Sequence, residues 1–183
     1  MARRPSPGRC KSRLAVGIGA AAAARVQRRL LQHTLAEAER WQGLANGSFS
    51  LALGEHQGAG CLGQRLQRLM GHSLRHGGEQ VVVVGSDLPG LMAADLQQAF
   101  AALHHQPLVI GPAADGGYWL IGLTAAAFEH QRGRLFSGIP WGGDQVLART
   151  IERAAELALN PHLLREQQDL DRLSDLAPWC SEA

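Results

Sequence analysis

Gln80-Val81-Val82-Val83-Val84-Gly85-Ser86-Asp87-Leu88-Pro89-Gly90 decides the fold. Four consecutive β-branched residues without polar alternation predict a strand covered by helices on both faces, as in a mostly parallel sheet. The run stops at Gly85, and Ala93 to Leu103 carries Leu96, Ala99, Phe100 and Leu103 on one helical face. A buried strand, a short polar loop and an amphipathic helix together make the unit of an α/β layered domain.

The flanks repeat this alternation. Upstream, Ala20 to Trp41 and Leu62 to Leu74 have apolar residues at helical spacing, and Phe49 to Leu53 after Asn46-Gly47 is a strand candidate. Downstream, the apolar runs Pro107 to Ile110 and Tyr118 to Leu123 enclose Gly111-Pro112-Ala113-Ala114-Asp115-Gly116-Gly117. A helix is expected over Gly142 to Leu159, broken at Asn160-Pro161, followed by a short strand at His162 to Leu164 and then Asp169-Leu170-Asp171. The first sixteen residues, basic and punctuated by Pro and Gly, read as a loop. The chain contains no internal repeat and no linker, so residues 1–183 are expected to form a single α/β domain.

Composition narrows the function classes. Eighteen Lys and Arg against sixteen Asp and Glu leave a net charge of +2, too weak a field to imply a nucleic-acid or membrane partner. Cys10, Cys61 and Cys180 are an odd number at wide spacing, which argues against a disulfide framework or a zinc site and for a reducing compartment. Arg3-Arg4 is followed by Pro5, Pro7, Gly8 and further cations where a signal peptide needs an apolar segment, so a cytoplasmic location is expected.

Three loops carry candidate chemistry. Asp87 lies beyond the C-terminal end of the strongest strand, where open α/β sheets place ligands, and a carboxylate there suits Mg²⁺ or Mn²⁺. Its bland alternative is a turn preceding the next helix. Asp115 beside Gly116 and Gly117 reads either as a common hairpin turn or as a second metal ligand with backbone N–H groups turned to an anion. Pro7 to Arg13 precedes a long helix, and its cations suit a diphosphate unless the segment is a solvated tail. Lys11 is the chain's one lysine, a compact ammonium among arginines. Asp144, near a helix start, reads as a cap, an acceptor-binding carboxylate or a base; Asp169 and Asp171 read as a cap of a last helix or a further metal ligand.

These segments, together with Gly60-Cys61-Leu62-Gly63-Gln64-Arg65-Leu66 and Ile139-Pro140-Trp141, resemble the radical-SAM/selenodomain-associated transferase family, whose members are often described as arsenosugar-biosynthesis glycosyltransferases. The resemblance implies the A-type glycosyltransferase fold of nucleotide-diphospho-sugar transferases. It implies phosphate contacts from Lys11 and Arg13, a metal ligand in Asp87, and Asp115 lining the donor or acceptor site. Three departures stand out: the opening strand expected before Pro7-Gly8 is lacking, Cys61 stands where relatives often have Asp, and Gly142-Gly143-Asp144 replaces a Ser-Thr pair. The function expected is metal-dependent transfer of a sugar from a nucleotide-diphosphate donor to a small acceptor. The alternatives are a nucleotidyltransferase, which would release pyrophosphate, and a non-catalytic nucleotide-binding remnant.

Overall fold

The computed structural model describes residues 1–45 and 47–176; Cys180 lies outside them. Among the described residues six α-helices and four strands follow in order: α1 (Ser12–Ile18), α2 (Ala20–Leu44), α3 (Leu62–Arg75), β1 (Gln80–Val84), α4 (Ala93–Leu103), β2 (Leu108–Pro112), β3 (Tyr118–Thr124), α5 (Ala125–Gln131), α6 (Val146–Glu156) and β4 (Pro161–Leu163). They form one open sheet in the order β1-β3-β2-β4, flanked by helices.

The valine run packs on both faces, with Val81 buried and Val82 to Val84 half-buried. Val81 and Val83 pack with Leu108, Ile110, Ile121 and Leu123 under α3, α5 and α6. Val82 and Val84 point the other way, toward Leu88, Leu96, Val109, Leu120 and the Trp41 end of α2. Period-two alternation divides the apolar residues between the two layers. Gly122 lies between Val82 and Val109, and a Cβ there would come within 2.8 Å of a methyl carbon on each.

The strand directions correct the expectation of a mostly parallel sheet. Among the described strands β3 is antiparallel to β1 and β2, and β2 and β4 pair in parallel. The cause is the five-residue turn 113–117, where Ala113 N–H donates to Gly117 O at 3.0 Å and Gly116 N–H to Ala113 O at 3.1 Å. That turn is too short for a crossover helix, so β3 must return beside β2. Even so, β1, β2 and β4 all point the same way, and their C-terminal ends share one rim.

β1 is also an edge strand, not a central one. Gly85 N–H bonds to Trp119 O on the β3 side, so the polar groups of Val82 and Val84 alternate outward. There Val84 O accepts the α-amino group of Met1 at 2.7 Å. Ala2 forms a parallel bridge to Leu53, with Ala2 N–H bonded to Ala52 O and Gly54 N–H to Ala2 O, both at 3.0 Å. Residues 1–2 therefore sit between the end of β1 and the 52–54 segment. The strand expected at Phe49 to Leu53 does not form beyond that bridge: Phe49 and Leu51 are more than one-third exposed and have no ladder beside them among the described residues. The basic N-terminal loop ends earlier than expected, because α1 begins at Ser12 and is separated from α2 by Gly19 at φ 83°.

Candidate functional site

Each of the three co-directional strands sends a loop to the shared rim: 85–92 from β1, 113–117 from β2 and 164–171 from β4. The last runs alongside the second, with Ala114 N–H bonded to Gln167 O and Gln167 N–H to Pro112 O, both at 3.0 Å. Its far end reaches the first, where Leu170 N–H donates to Asp87 O at 2.9 Å. This stitching brings distant acidic residues together. The Asp169 carboxyl is raised above the ordinary carboxylate range, first by burial and then by the like charges of Asp115 and Asp87, with Lys11 opposing.

Lys11 sits inside this cluster. Its Nζ donates to Leu170 O at 2.5 Å and lies 2.7 Å from Asp87 Oδ1, and its side chain is 3% exposed against 45% for Asp87. Asp87 Oδ1 is itself buried and completes no hydrogen bond, so the ammonium is its charge partner. Lys11 holds the left-handed backbone conformation (φ 51°) at the cap of α1, which turns its side chain inward. Ser86, buried beside Asp87, accepts Gln27 Nε2 of α2 at 3.2 Å and anchors the same loop.

Arg13 is exposed at the mouth, where Nη1 donates to Asp171 Oδ2 at 3.0 Å. The cap expected of Asp171 is reversed: Asp175 Oδ2 accepts the N–H groups of Asp171 and Arg172 at 2.9 and 2.7 Å. Asp115 is exposed and uses Oδ1 to accept Gly117 N–H at 2.9 Å, as a hairpin-turn aspartate does. The N–H groups of Gly116 and Gly117 are both committed inside the turn, leaving neither for an anion. Asp144 is exposed, and its backbone lies against Gly116, at φ 85°, where a Cβ would collide with the Asp144 carbonyl. Leu147 N–H donates to Gly116 O at 2.8 Å, so α6 is docked on the 113–117 turn.

The structure thus gathers Lys11, Asp87, Asp115 and Asp169, with Arg13 and Asp171 adjoining. Asp169 was the least legible member, because Asp-x-Asp near a short helix looks equally like a cap. The α-amino group of Met1, electrostatically coupled to Asp87, carries no sequence signal at all. Among the described residues no group of three or more His, Cys, Asp or Glu side chains is spaced to enclose an ion. The donors at the rim are nonetheless all carboxylates, two of them pressing on the Asp169 carboxyl, which suits a hard cation that keeps water and phosphate oxygens among its ligands.

No helix among the described residues is long and apolar enough to cross a membrane. No curated protein matches the chain. It is similar to a crystal structure of a candidate nucleotide-diphospho-sugar transferase from Desulfovibrio desulfuricans G20, with 29% identity, a TM-score of 0.83, and 96% of this chain and 81% of that chain covered. A more distant structure is the Mycobacterium tuberculosis rv0371c homolog from Mycobacterium sp. strain JC1, at 18% identity and a TM-score of 0.46, with 84% of this chain and 82% of that chain covered. Residues 18–143, which hold β1, the turn 113–117 and both helical layers up to α5, match DUF2064, described as an uncharacterized protein conserved in bacteria, and the chain belongs to that family.

Proposed function

We propose that this protein is a metal-dependent transferase that takes a sugar from a nucleotide-diphosphate donor and passes it to the hydroxyl of a small acceptor. The observation that supports this reading is the hydrogen-bonded stitching of the loops that carry Asp87, Asp115 and Asp169 along one rim of the sheet, with Lys11 paired to Asp87 and Arg13 to Asp171. The similarity to the Desulfovibrio desulfuricans G20 structure supports the same class.

Asp87 and Asp169, with Asp115 at the side, are the residues that would hold Mg²⁺ or Mn²⁺; the ion's contribution is to stabilise negative charge on the departing diphosphate. The chain's own residues supply the rest. Arg13 presents a planar guanidinium to the phosphates and can exchange Asp171 for them, since both partners of that pair are solvent-accessible. Asp144 or Asp115, both exposed at or beside the 113–117 turn, would take the acceptor's proton.

The deciding experiment is a thermal-shift panel of UDP, GDP, CDP and their sugars with and without Mn²⁺, on the wild type and Asp87→Asn. A ligand that binds only the native state raises the melting temperature. One nucleotide should stabilise the wild type more with Mn²⁺ than without, and that increment should vanish in Asp87→Asn. An equal increment in both proteins would overturn the reading.

A further inference from the structure

Building on the proposed transferase, we propose that Lys11 is a positioning residue for Asp87 rather than a phosphate ligand. Two hydrogen bonds and an ion pair close a triangle: Lys11 Nζ donates to Leu170 O at 2.5 Å, Leu170 N–H donates to Asp87 O at 2.9 Å, and Lys11 Nζ pairs with Asp87 Oδ1 at 2.7 Å. The ammonium is its buried corner, with 3% of the side chain exposed, so no incoming phosphate reaches it without dismantling the triangle. Asp87 Oδ1 is the buried oxygen of a carboxylate that is otherwise 45% exposed. Tying down Oδ1 leaves Oδ2 as the oxygen available to the rim, where the Asp115 and Asp169 charges gather. Lys11 thus fixes the orientation of Asp87, and phosphate contact falls to Arg13, the neighbouring cation that is exposed.

The test measures Mn²⁺ affinity of the full chain without nucleotide, for the wild type, Lys11→Met, Asp87→Asn and the double variant. Deleting a positive charge beside a cation site would by electrostatics alone tighten Mn²⁺ binding. Loss of positioning acts in the opposite direction: Lys11→Met should weaken Mn²⁺ about tenfold, and the double variant should bind no more weakly than Asp87→Asn. Unchanged or tighter binding in Lys11→Met, or additive losses in the double variant, would overturn the proposal. In metal-free titrations with UDP, GDP and CDP, Arg13→Ala should lose affinity and Lys11→Met should keep it; the reverse pattern also overturns it.

If Lys11→Met fails to fold, amine labelling of the wild type decides. Lys11 is the one lysine, and it should resist the reagent equally with and without nucleoside diphosphate. Labelling at the rate of free lysine, suppressed by nucleotide, would make it a phosphate ligand. A wild type that binds no Mn²⁺ refutes the metal dependence of the proposed function, while the nucleotide and labelling arms still decide the role of Lys11.

Discussion

Arg165, just after β4, clamps Asp95 in the first turn of α4: Nε lies 2.7 Å from Oδ1 and Nη2 lies 2.8 Å from Oδ2. The carboxylate also accepts Met92 N–H at 2.9 Å and Gln167 Nε2 at 3.2 Å, and the residue is 3% exposed. Burial pushes the Asp95 carboxyl up, but the bonds from Arg165, Met92 and Gln167 prevail and hold it below the usual range. The pair pins the 164–171 segment to the layer that carries the Asp87 loop.

Arg165→Met should cost about 2 kcal/mol in urea unfolding, since it strands a buried carboxylate that retains two weaker partners. The Arg165 side chain is 45% exposed, so the loss falls below that of a fully buried pair. Because the folded carboxyl is depressed, its contribution is complete above the ordinary carboxylate pKa of 3.8 and is lost as pH falls through the lower folded value. Stability of Arg165→Met and wild type should therefore converge in strong acid; a constant difference down to that range would contradict this account.

The Met1 α-amino group gives a second pH window. Burial lowers it from 8.0 to about 6, against the opposing pull of Asp87. Between these two values the unfolded chain binds more protons, so stability should rise with pH from 6 to 8, by roughly 2–3 kcal/mol. Acetylating the amine should flatten that slope in denaturation curves taken across the window, and an unchanged slope would exclude Met1 as its source.

Among the described residues no strand pairs with the outer edge of β1 beyond the Met1 contact, and this makes an engineering prediction. A five-residue Val/Ile-rich extension fused to Met1 would replace the buried amine with an amide and lie between Val82 and the exposed Phe49 and Leu51. Calorimetry should show a melting temperature higher by about 4 °C or more, because each kcal/mol is worth about 2–4 °C at this size. A Gly/Ser extension of equal length is the control, and equal melting of the two fusions would count against strand pairing at that edge.

Gly116→Ala tests whether the 113–117 turn and the start of α6 act as one unit. The new Cβ would meet the Asp144 carbonyl and occupy a backbone with φ 85°. A loss of about 2 kcal/mol is expected, from positive-φ strain plus the clash. Hydrogen exchange should accelerate at Leu147 N–H, the donor to Gly116 O; protection equal to wild type there would separate the two loops.

Local pattern sufficed where one element buries its own periodic face. α4 spans Ala93–Leu103 as expected, and the valine run is β1 with both faces covered. Pattern failed where the outcome depends on a neighbour. Phe49 to Leu53 has strand composition but no ladder, and nothing in four valines states whether a strand lies at the centre or the edge. The place of Asp87 at the rim was legible because it directly follows the end of a strand. The inward turn of Lys11 was not, since it requires a positive φ at a non-glycine residue and a carbonyl contributed by Leu170.

The bond from Lys11 to Leu170 O spans 159 positions. During synthesis β1, β2 and β3 emerge before the Leu170 segment, whereas β4 and the Lys11 contact must wait for the C-terminal residues. A chain ending at residue 160 would lack β4 as well as the Leu170 carbonyl, so the rim closes only when the C-terminal segment has joined the sheet, and its last tie is a single carbonyl oxygen.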